Sequence, residues 1–170
     1  MRTLLIAIAL TLALASTATA ATVADPDEPG FAQDVDIETA TSSWWGPPGN
    51  VIITHTIKTY GRYSQRPCLL VVTNRGQRYA ACDSLLINTT ARTSPTITMT
   101  ESPAGAPHTV TYRFTSSQIG NPRYYRWRAS VGGYYGDKTV YTREDLPRLP
   151  FVDDDPFPPL DDPIDPPDLP

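Results

Sequence analysis

Hydrophobic and polar residues alternate with a period of two along much of the chain between residues 50 and 143. Alternation of this kind is typical of strands that bury one face, and no stretch sustains a helical period beyond two turns. The pattern predicts six strands, at residues 51–60, 68–73, 77–82, 96–100, 108–114 and 124–131. Two weaker stretches could add a seventh strand at residues 138–142 and an edge strand at residues 34–40. Short strands separated by Gly and Pro turns predict an all-β fold, an antiparallel β-sandwich of the jelly-roll or immunoglobulin-like kind.

The alternation also predicts which side chains face the core. In the last of the six strands the inward positions are Tyr125, Trp127, Ala129 and Val131, and the outward positions are Tyr124, Arg126 and Arg128. His55 shares the apolar face of the first strand, where a buried core histidine is the more common role than a ligand. His108 follows Pro107 at the start of a strand, and we expect it to be exposed. Residues 116–120 predict one helical turn that ends at Gly120.

The two cysteines lie symmetrically about a predicted three-residue hairpin loop at residues 74–76. If Thr73 faces Gln77 across the turn, the register places Cys68 directly opposite Cys82. Opposed residues of an antiparallel pair have Cβ atoms about 4.5–5.5 Å apart, close to what a disulfide needs. A reactive thiol pair is the alternative, but a separation of fourteen residues is not Cys-x-x-Cys spacing. The sequence therefore predicts a structural Cys68–Cys82 disulfide.

The first twenty residues have the features of a signal peptide. Arg2 is followed by an apolar run at residues 4–15, and Ala18-Thr19-Ala20 offers a small-x-small cleavage site before Ala21. The apolar run is shorter than the roughly 20 residues that span a bilayer. We expect a secreted, extracellular protein, exported by a bacterial signal peptide, with no stable insertion into the membrane.

Charge is distributed very unevenly behind this signal. Residues 21–49 carry six acidic and no basic residues, and we interpret them as an acidic N-terminal arm with a possible edge strand. Residues 50–143, the predicted sandwich domain, carry twelve basic and three acidic residues. Residues 144–170 carry nine acidic residues and one basic residue, and are rich in proline, which predicts a disordered acidic tail. The chain thus places a basic domain between two acidic segments.

Residues suited to catalysis or metal binding are scarce. The chain has two histidines, and a zinc site needs three or four His, Cys or carboxylate ligands. It has no Gly-x-Ser-x-Gly, His-Glu-x-x-His or phosphate-binding glycine motif. We therefore expect a non-catalytic protein without a metal or cofactor, although an enzyme of unrecognised type stays an alternative.

Two groups of residues are candidates for ligand binding. If strands 108–114 and 124–131 pair as neighbours, their outward faces form one ridge with Arg113, Tyr124, Arg126 and Arg128. Arginine and aromatic groups together favour carboxylates, phosphates and sugar faces, although an ordinary solvated sheet face has the same pattern. Trp44 and Trp45 could form a platform for stacking sugars, or they could close the open end of the sandwich.

The later half of the predicted domain resembles a known class of secreted bacterial modules. The resemblance rests on Val-Thr-Tyr-Arg-Phe at residues 110–114, Ser-Gln-Ile-Gly at residues 117–120 and Tyr-Arg-Trp-Arg-Ala at residues 125–129. These runs are similar to DOMON and family 9 carbohydrate-binding modules. The resemblance implies a sandwich fold and binding to sugars or surfaces. The loop at residues 73–76 lacks the Asp-rich hairpin of calcium-binding members, and Met99 and the histidines match no haem motif of the family.

These observations favour binding or adhesion at the cell envelope or to an extracellular polysaccharide. The expected partner is a glycan or an anionic envelope polymer, not a nucleic acid. The alternative is a structural or interaction protein that engages its partner through the Pro-Asp tail at residues 144–170.

Overall fold

The computed structural model describes residues 20–25, 36–61, 66–103, 107–132 and 137–147. Most of the predicted signal peptide and residues 148–170 of the predicted tail therefore lie outside the described residues. The described ranges contain ten strands: β1 (Ala21–Ala24), β2 (Ile37–Trp45), β3 (Ile52–Thr59), β4 (Cys68–Thr73), β5 (Arg78–Ala81), β6 (Ile87–Asn88), β7 (Thr98–Glu101), β8 (Thr109–Thr115), β9 (Tyr124–Ser130) and β10 (Thr142–Asp145). One 3-10 helix, Ser116–Ile119, joins β8 to β9.

The strands form two antiparallel sheets of five strands each. Sheet 1 has the order β1-β2-β3-β8-β7, and sheet 2 has the order β10-β9-β4-β5-β6. Both sheets contribute their inward side chains to one buried core, so the predicted antiparallel β-sandwich is confirmed. The six strands predicted from the alternation correspond to β3, β4, β5, β7, β8 and β9.

The segment before residue 50 contributes two strands to sheet 1. The strand considered for residues 34–40 is β2, which runs from Ile37 to Trp45 and lies between β1 and β3 rather than at an edge. Its pairing with β3 shifts between Ile37 and Thr39, so Ile37 and Ala40, three positions apart, are both fully buried. Such a bulge interrupts the period of two, which is why the alternation was hard to see in the sequence.

The last strand also begins later than the pattern predicted. Residues 138–142 were expected to form a strand, but Lys138 pairs with Ser130 in an isolated bridge outside any strand, and β10 begins at Thr142. Glu144 and Asp145, assigned to the acidic tail, are part of this strand, and Leu146 packs into the core. The described chain therefore stays in the sandwich as far as residue 147.

The predicted hairpin register and disulfide are both confirmed. β4 pairs with β5 so that Leu69 lies opposite Ala81, and continuing this register places Cys68 opposite Cys82. The two cysteines form a disulfide with Cα atoms 4.2 Å apart. Gly76 closes the loop with φ of 73°, a left-handed conformation that glycine adopts without steric cost.

We expect the mature protein to show no reaction with a thiol reagent before reduction. Reduction should release two thiols, and the double variant C68A/C82A should lose about 3 kcal/mol of unfolding free energy in the chain-entropy model of a cross-link. Thiol labelling of denatured protein with and without reductant measures the first result, and urea titration measures the second. Labelling of the unreduced protein would contradict the disulfide.

Candidate functional site

The outer face of sheet 2 carries a cluster of cationic and aromatic side chains. We call it the arginine face and define it by Arg78, Tyr124, Arg126, Arg128, Tyr141 and Arg143. Because neighbouring residues of a strand point to opposite faces, burial of Tyr125 and Trp127 in the core directs these β9 residues outward. Tyr124 and Arg126 are partly exposed, whereas Arg128 is only 8% exposed, so the structure does not present Arg128 as the open ligand-binding side chain that the sequence predicted.

The strand register aligns three of these arginines across the sheet. Arg143 of β10 lies opposite Arg126 of β9, Arg126 lies opposite Val72 of β4, and Val72 lies opposite Arg78 of β5. Like charges that face each other directly across strands are destabilising. The only acidic side chain at the described strand positions of this face is Asp145. The described strand positions of this face therefore carry more basic than acidic side chains.

Two of the guanidinium groups stack on tyrosine rings. The Arg143 guanidinium carbon lies 3.9 Å from the ring centroid of Tyr124, and that of Arg128 lies 4.7 Å from the ring centroid of Tyr141. Arg143 also donates to Asp145 Oδ1 at 2.8 Å and 3.3 Å, and this hydrogen bond raises the pKa of Arg143. Stacking leaves the edges of a guanidinium able to donate in its plane.

Arg113 does not belong to this face. The prediction that β8 and β9 are neighbours whose outward side chains form one ridge is wrong. β8 lies in sheet 1 and β9 in sheet 2, so their outward faces are on opposite sides of the sandwich. Arg113 lies between Thr54 and Thr98 on the outer face of sheet 1. The 3-10 helix carries the chain from one sheet to the other. The alternation in the sequence shows which face a residue takes but not which strand lies beside it.

The structure also places Trp44 and Trp45 on opposite faces of sheet 1. They are consecutive residues of β2, so Trp44 packs against the core while Trp45 is 52% exposed on the outer face of sheet 1. The two indoles therefore share no surface, and a joint stacking platform does not form. The packing of Trp44 agrees with the alternative interpretation, in which this side chain closes the core near the end of a strand.

The outer face of sheet 1 carries a feature that the sequence analysis missed. The register aligns one threonine from every strand in a single row, namely Thr22, Thr41, Thr56, Thr111 and Thr100. The hydroxyl groups of Thr56 and Thr111 are hydrogen-bonded at 3.1 Å. Thr-x-Thr pairs at residues 39–41, 54–56, 98–100 and 109–111 were the available signal. The row itself is uncharged, although Lys58 and Arg113 lie on the same outer face.

A polar cluster lies inside the core between the sheets. The Tyr125 hydroxyl lies 3.2 Å from the Ser42 hydroxyl and 3.3 Å from Nε2 of His55. Trp127 Nε1 donates to Oε1 of Glu144 at 3.4 Å, and burial raises the pKa of Glu144. Ser42, His55 and Tyr125 are 0% exposed, so these groups contact the core and not a substrate. The prediction that His55 is a core residue is confirmed.

His108 was expected to be exposed, and the structure buries it instead, beside the exposed Glu101. It is 6% exposed, and its Nε2 lies 2.5 Å from Oε1 of Glu101. Glu101 also accepts from Arg66 at 3.3 Å, and the hydrogen bond to His108 is the main cause that lowers the pKa of Glu101. A single sequence does not show that Glu101, at the end of β7, covers the start of β8.

Among the described residues, no three His, Cys, Asp or Glu side chains are grouped closely enough to hold a metal ion. No helix in the described ranges is long and apolar enough to cross a membrane. No protein-family model, no curated protein and no solved structure matches this chain.

Proposed function

We propose that this protein is an exported, non-catalytic β-sandwich module that binds an anionic polysaccharide or envelope polymer through the arginine face. The observation that carries the proposal is the row of Arg143, Arg126 and Arg78 across sheet 2. A chain with regularly spaced carboxylate or phosphate groups offers a counterion to each arginine, and Tyr124 and Tyr141 add ring surfaces beside them. A polyanion would thus contact several arginines of one sheet face at once.

The cellular setting is part of the proposal. The signal-peptide features of residues 1–20 and the Cys68–Cys82 disulfide both suit an oxidising compartment outside the cytoplasm. Acidic polysaccharides and envelope polymers are the abundant polyanions there, so we take them as the ligand class rather than nucleic acid. The resemblance to DOMON and family 9 carbohydrate-binding modules is consistent with this choice.

Binding to such a polymer should be distributed over several contacts and weakened by salt. A single exposed ion pair contributes about 0–1 kcal/mol, and salt screens it. We therefore expect the double variant R78Q/R126Q to bind polygalacturonate about five- to tenfold more weakly at low ionic strength, where 1.4 kcal/mol is about tenfold. The difference should shrink as salt is added. Affinity electrophoresis or biolayer interferometry with the full chain measures it.

R113Q is the matched control, because it removes an arginine from the opposite outer face. We expect R113Q to bind polygalacturonate like the wild type, and neutral dextran to bind to none of the proteins. R113Q removes one positive charge and R78Q/R126Q removes two. If R113Q lowers the binding free energy by half as much as the double variant, the net charge of the protein attracts the polymer, and not the arginine face. If R78Q/R126Q binds like the wild type, the ligand contacts another surface, such as the tail.

A further inference from the structure

A cleft of about 350 Å³ opens at one end of the sandwich. Four separate parts of the chain build it: the turn before β3, the β4–β5 hairpin loop, the turn after the 3-10 helix and the end of β10. Its volume is near the lower end of the range for small-molecule sites, roughly 300–1,000 Å³. The cleft therefore has room for one sugar-sized ligand rather than for a polymer chain.

The charge of the cleft comes from two arginines. Arg75 and Arg123 both line it, and none of its described lining residues is acidic. Arg75 donates from Nη1 to the carbonyl oxygen of Gly120 at 3.2 Å, which holds its side chain at the cleft. Two cations that share a cleft without a carboxylate repel each other, so the cleft attracts an anion.

Arg123 is the better placed of the two arginines to bind an anion. Its backbone N–H donates to Asn74 Oδ1 at 3.1 Å, and its carbonyl oxygen accepts from the Leu146 N–H at 3.0 Å. Its Nε is shielded from water and has no hydrogen-bond partner among the described residues. A shielded donor without an acceptor is rare in folded proteins, because losing water without a replacement costs about 1–3 kcal/mol. Arg123 lines the cleft, so a carboxylate bound there would place acceptors beside its side chain.

The remaining walls suit the body of a sugar ring. Val51, Leu146 and Pro147 line the cleft and give it an apolar side; Pro147 is partly exposed, whereas Val51 and Leu146 are 1% and 6% exposed. Asn121 Oδ1 accepts a hydrogen bond from the Ser116 hydroxyl at 2.9 Å, which fixes the amide group of Asn121. An apolar wall with a few oriented polar groups is the usual composition of a small-ligand site.

We propose that this cleft is a second binding site, which takes one carboxylate-bearing sugar of hexuronate size. Arg123 and Arg75 hold the carboxylate, Pro147 contacts the ring, and Asn121 binds a hydroxyl group. The site is separate from the arginine face and does not depend on the polymer binding proposed above. The same chemistry could come from a free hexuronate or from the terminal residue of an acidic polysaccharide.

The test is a titration of the full-length, ¹⁵N-labelled protein with glucuronate, followed by NMR, with glucose as the neutral control. We expect saturable shifts at the amides of Gly120 and Asn121 with glucuronate, and at least tenfold weaker effects with glucose. R123Q should weaken binding at least tenfold, and R75Q should weaken it several-fold. The Arg123 side chain has no described hydrogen-bond partner to lose, so we expect R123Q to keep a dispersed spectrum.

R126Q is the control that separates this proposal from the previous one, because it removes a charge from the arginine face only. It should bind glucuronate like the wild type, and R123Q should keep its affinity for polygalacturonate if the two sites are independent.

A trisaccharide, trigalacturonate, distinguishes the two sources of the ligand. If it binds more tightly than the monosaccharide glucuronate, and R123Q weakens its binding by the same factor, a polymer end is the source. Equal affinity identifies the free sugar. Glucose shifts equal to those of glucuronate, an R123Q titration like that of the wild type, or no saturation at millimolar concentrations would overturn the site.

Discussion

Replacing Trp127 by alanine is expected to lower the free energy of unfolding by about 3–5 kcal/mol, the range for a large aromatic residue truncated in a core. Trp127 is 0% exposed and is the largest fully buried side chain among the described residues. Its ring centroid lies 4.6 Å from that of His55, across the interface between the two sheets. The indole N–H also donates to the buried Glu144. The variant therefore opens a cavity and removes one hydrogen bond from a buried carboxyl group.

Urea denaturation followed by circular dichroism measures this loss. Trp45→Ala is the matched control, because it truncates the same residue type at a position that is 52% exposed. We expect it to cost about 1 kcal/mol or less, as for most surface substitutions. A W127A melting temperature within a degree or two of the wild type would show that the inward face of β9 is assigned wrongly.

The second large effect is a loss of stability in acid caused by His55. Burial lowers the pKa of His55 from 6.5 to about 3, because the imidazolium would lose its water in the core. Its ring neighbours are Phe114, Tyr125 and Trp127, which bring no opposite charge to offset that loss. The folded protein thus keeps His55 neutral at a pH where the unfolded chain protonates it.

The sign follows from this difference in bound protons. Above pH 6.5 both states are neutral at His55, and the stability is unaffected by this group. As the pH falls from 6.5 towards 3, the unfolded state binds one proton more, and each pH unit costs about 1.4 kcal/mol. We expect His55 to remove about 4–5 kcal/mol of stability over this window and no more below it.

The measurement is the unfolding free energy of wild type and His55→Leu at pH 7 and pH 4.5. The carboxyl groups titrate in both proteins, so the difference between the two pH dependences isolates His55. The wild type should lose about 2–3 kcal/mol more than the variant between these pH values. If both proteins lose the same stability, His55 is not held neutral in the core.

The strands with regular alternation could be predicted from the sequence, because a buried face imposes a period of two on each strand separately. For the same reason the burial of His55 and Trp127 follows from their own strands. The disulfide was predictable because the β4–β5 hairpin is local, and one turn sets the register for both cysteines. β2 was harder to recognise because its bulge places Ile37 and Ala40 on one face at an interval of three.

The candidate sites depended on information that no single strand carries. Tyr124, Arg126, Arg128 and Arg113 take the outward positions that were predicted, but Arg128 is only 8% exposed and Arg113 lies on the opposite side of the sandwich. The cleft combines Arg75 and Arg123 from loops 48 residues apart in the sequence. The row of five threonines likewise needs the order of all the strands in sheet 1.

The sequence by itself determined the fold class, the core face of the regular strands and the disulfide of this protein. Each of these follows from local periodicity or from one short loop, where the physical constraint acts within a few residues. The tertiary structure alone decided which strands are neighbours, and with them the arginine face, the threonine row and the cleft. The packing of the whole core, to which the inward side chains of both sheets contribute, determines which strands are neighbours. The residue pattern of a single strand therefore does not show which strand lies beside it.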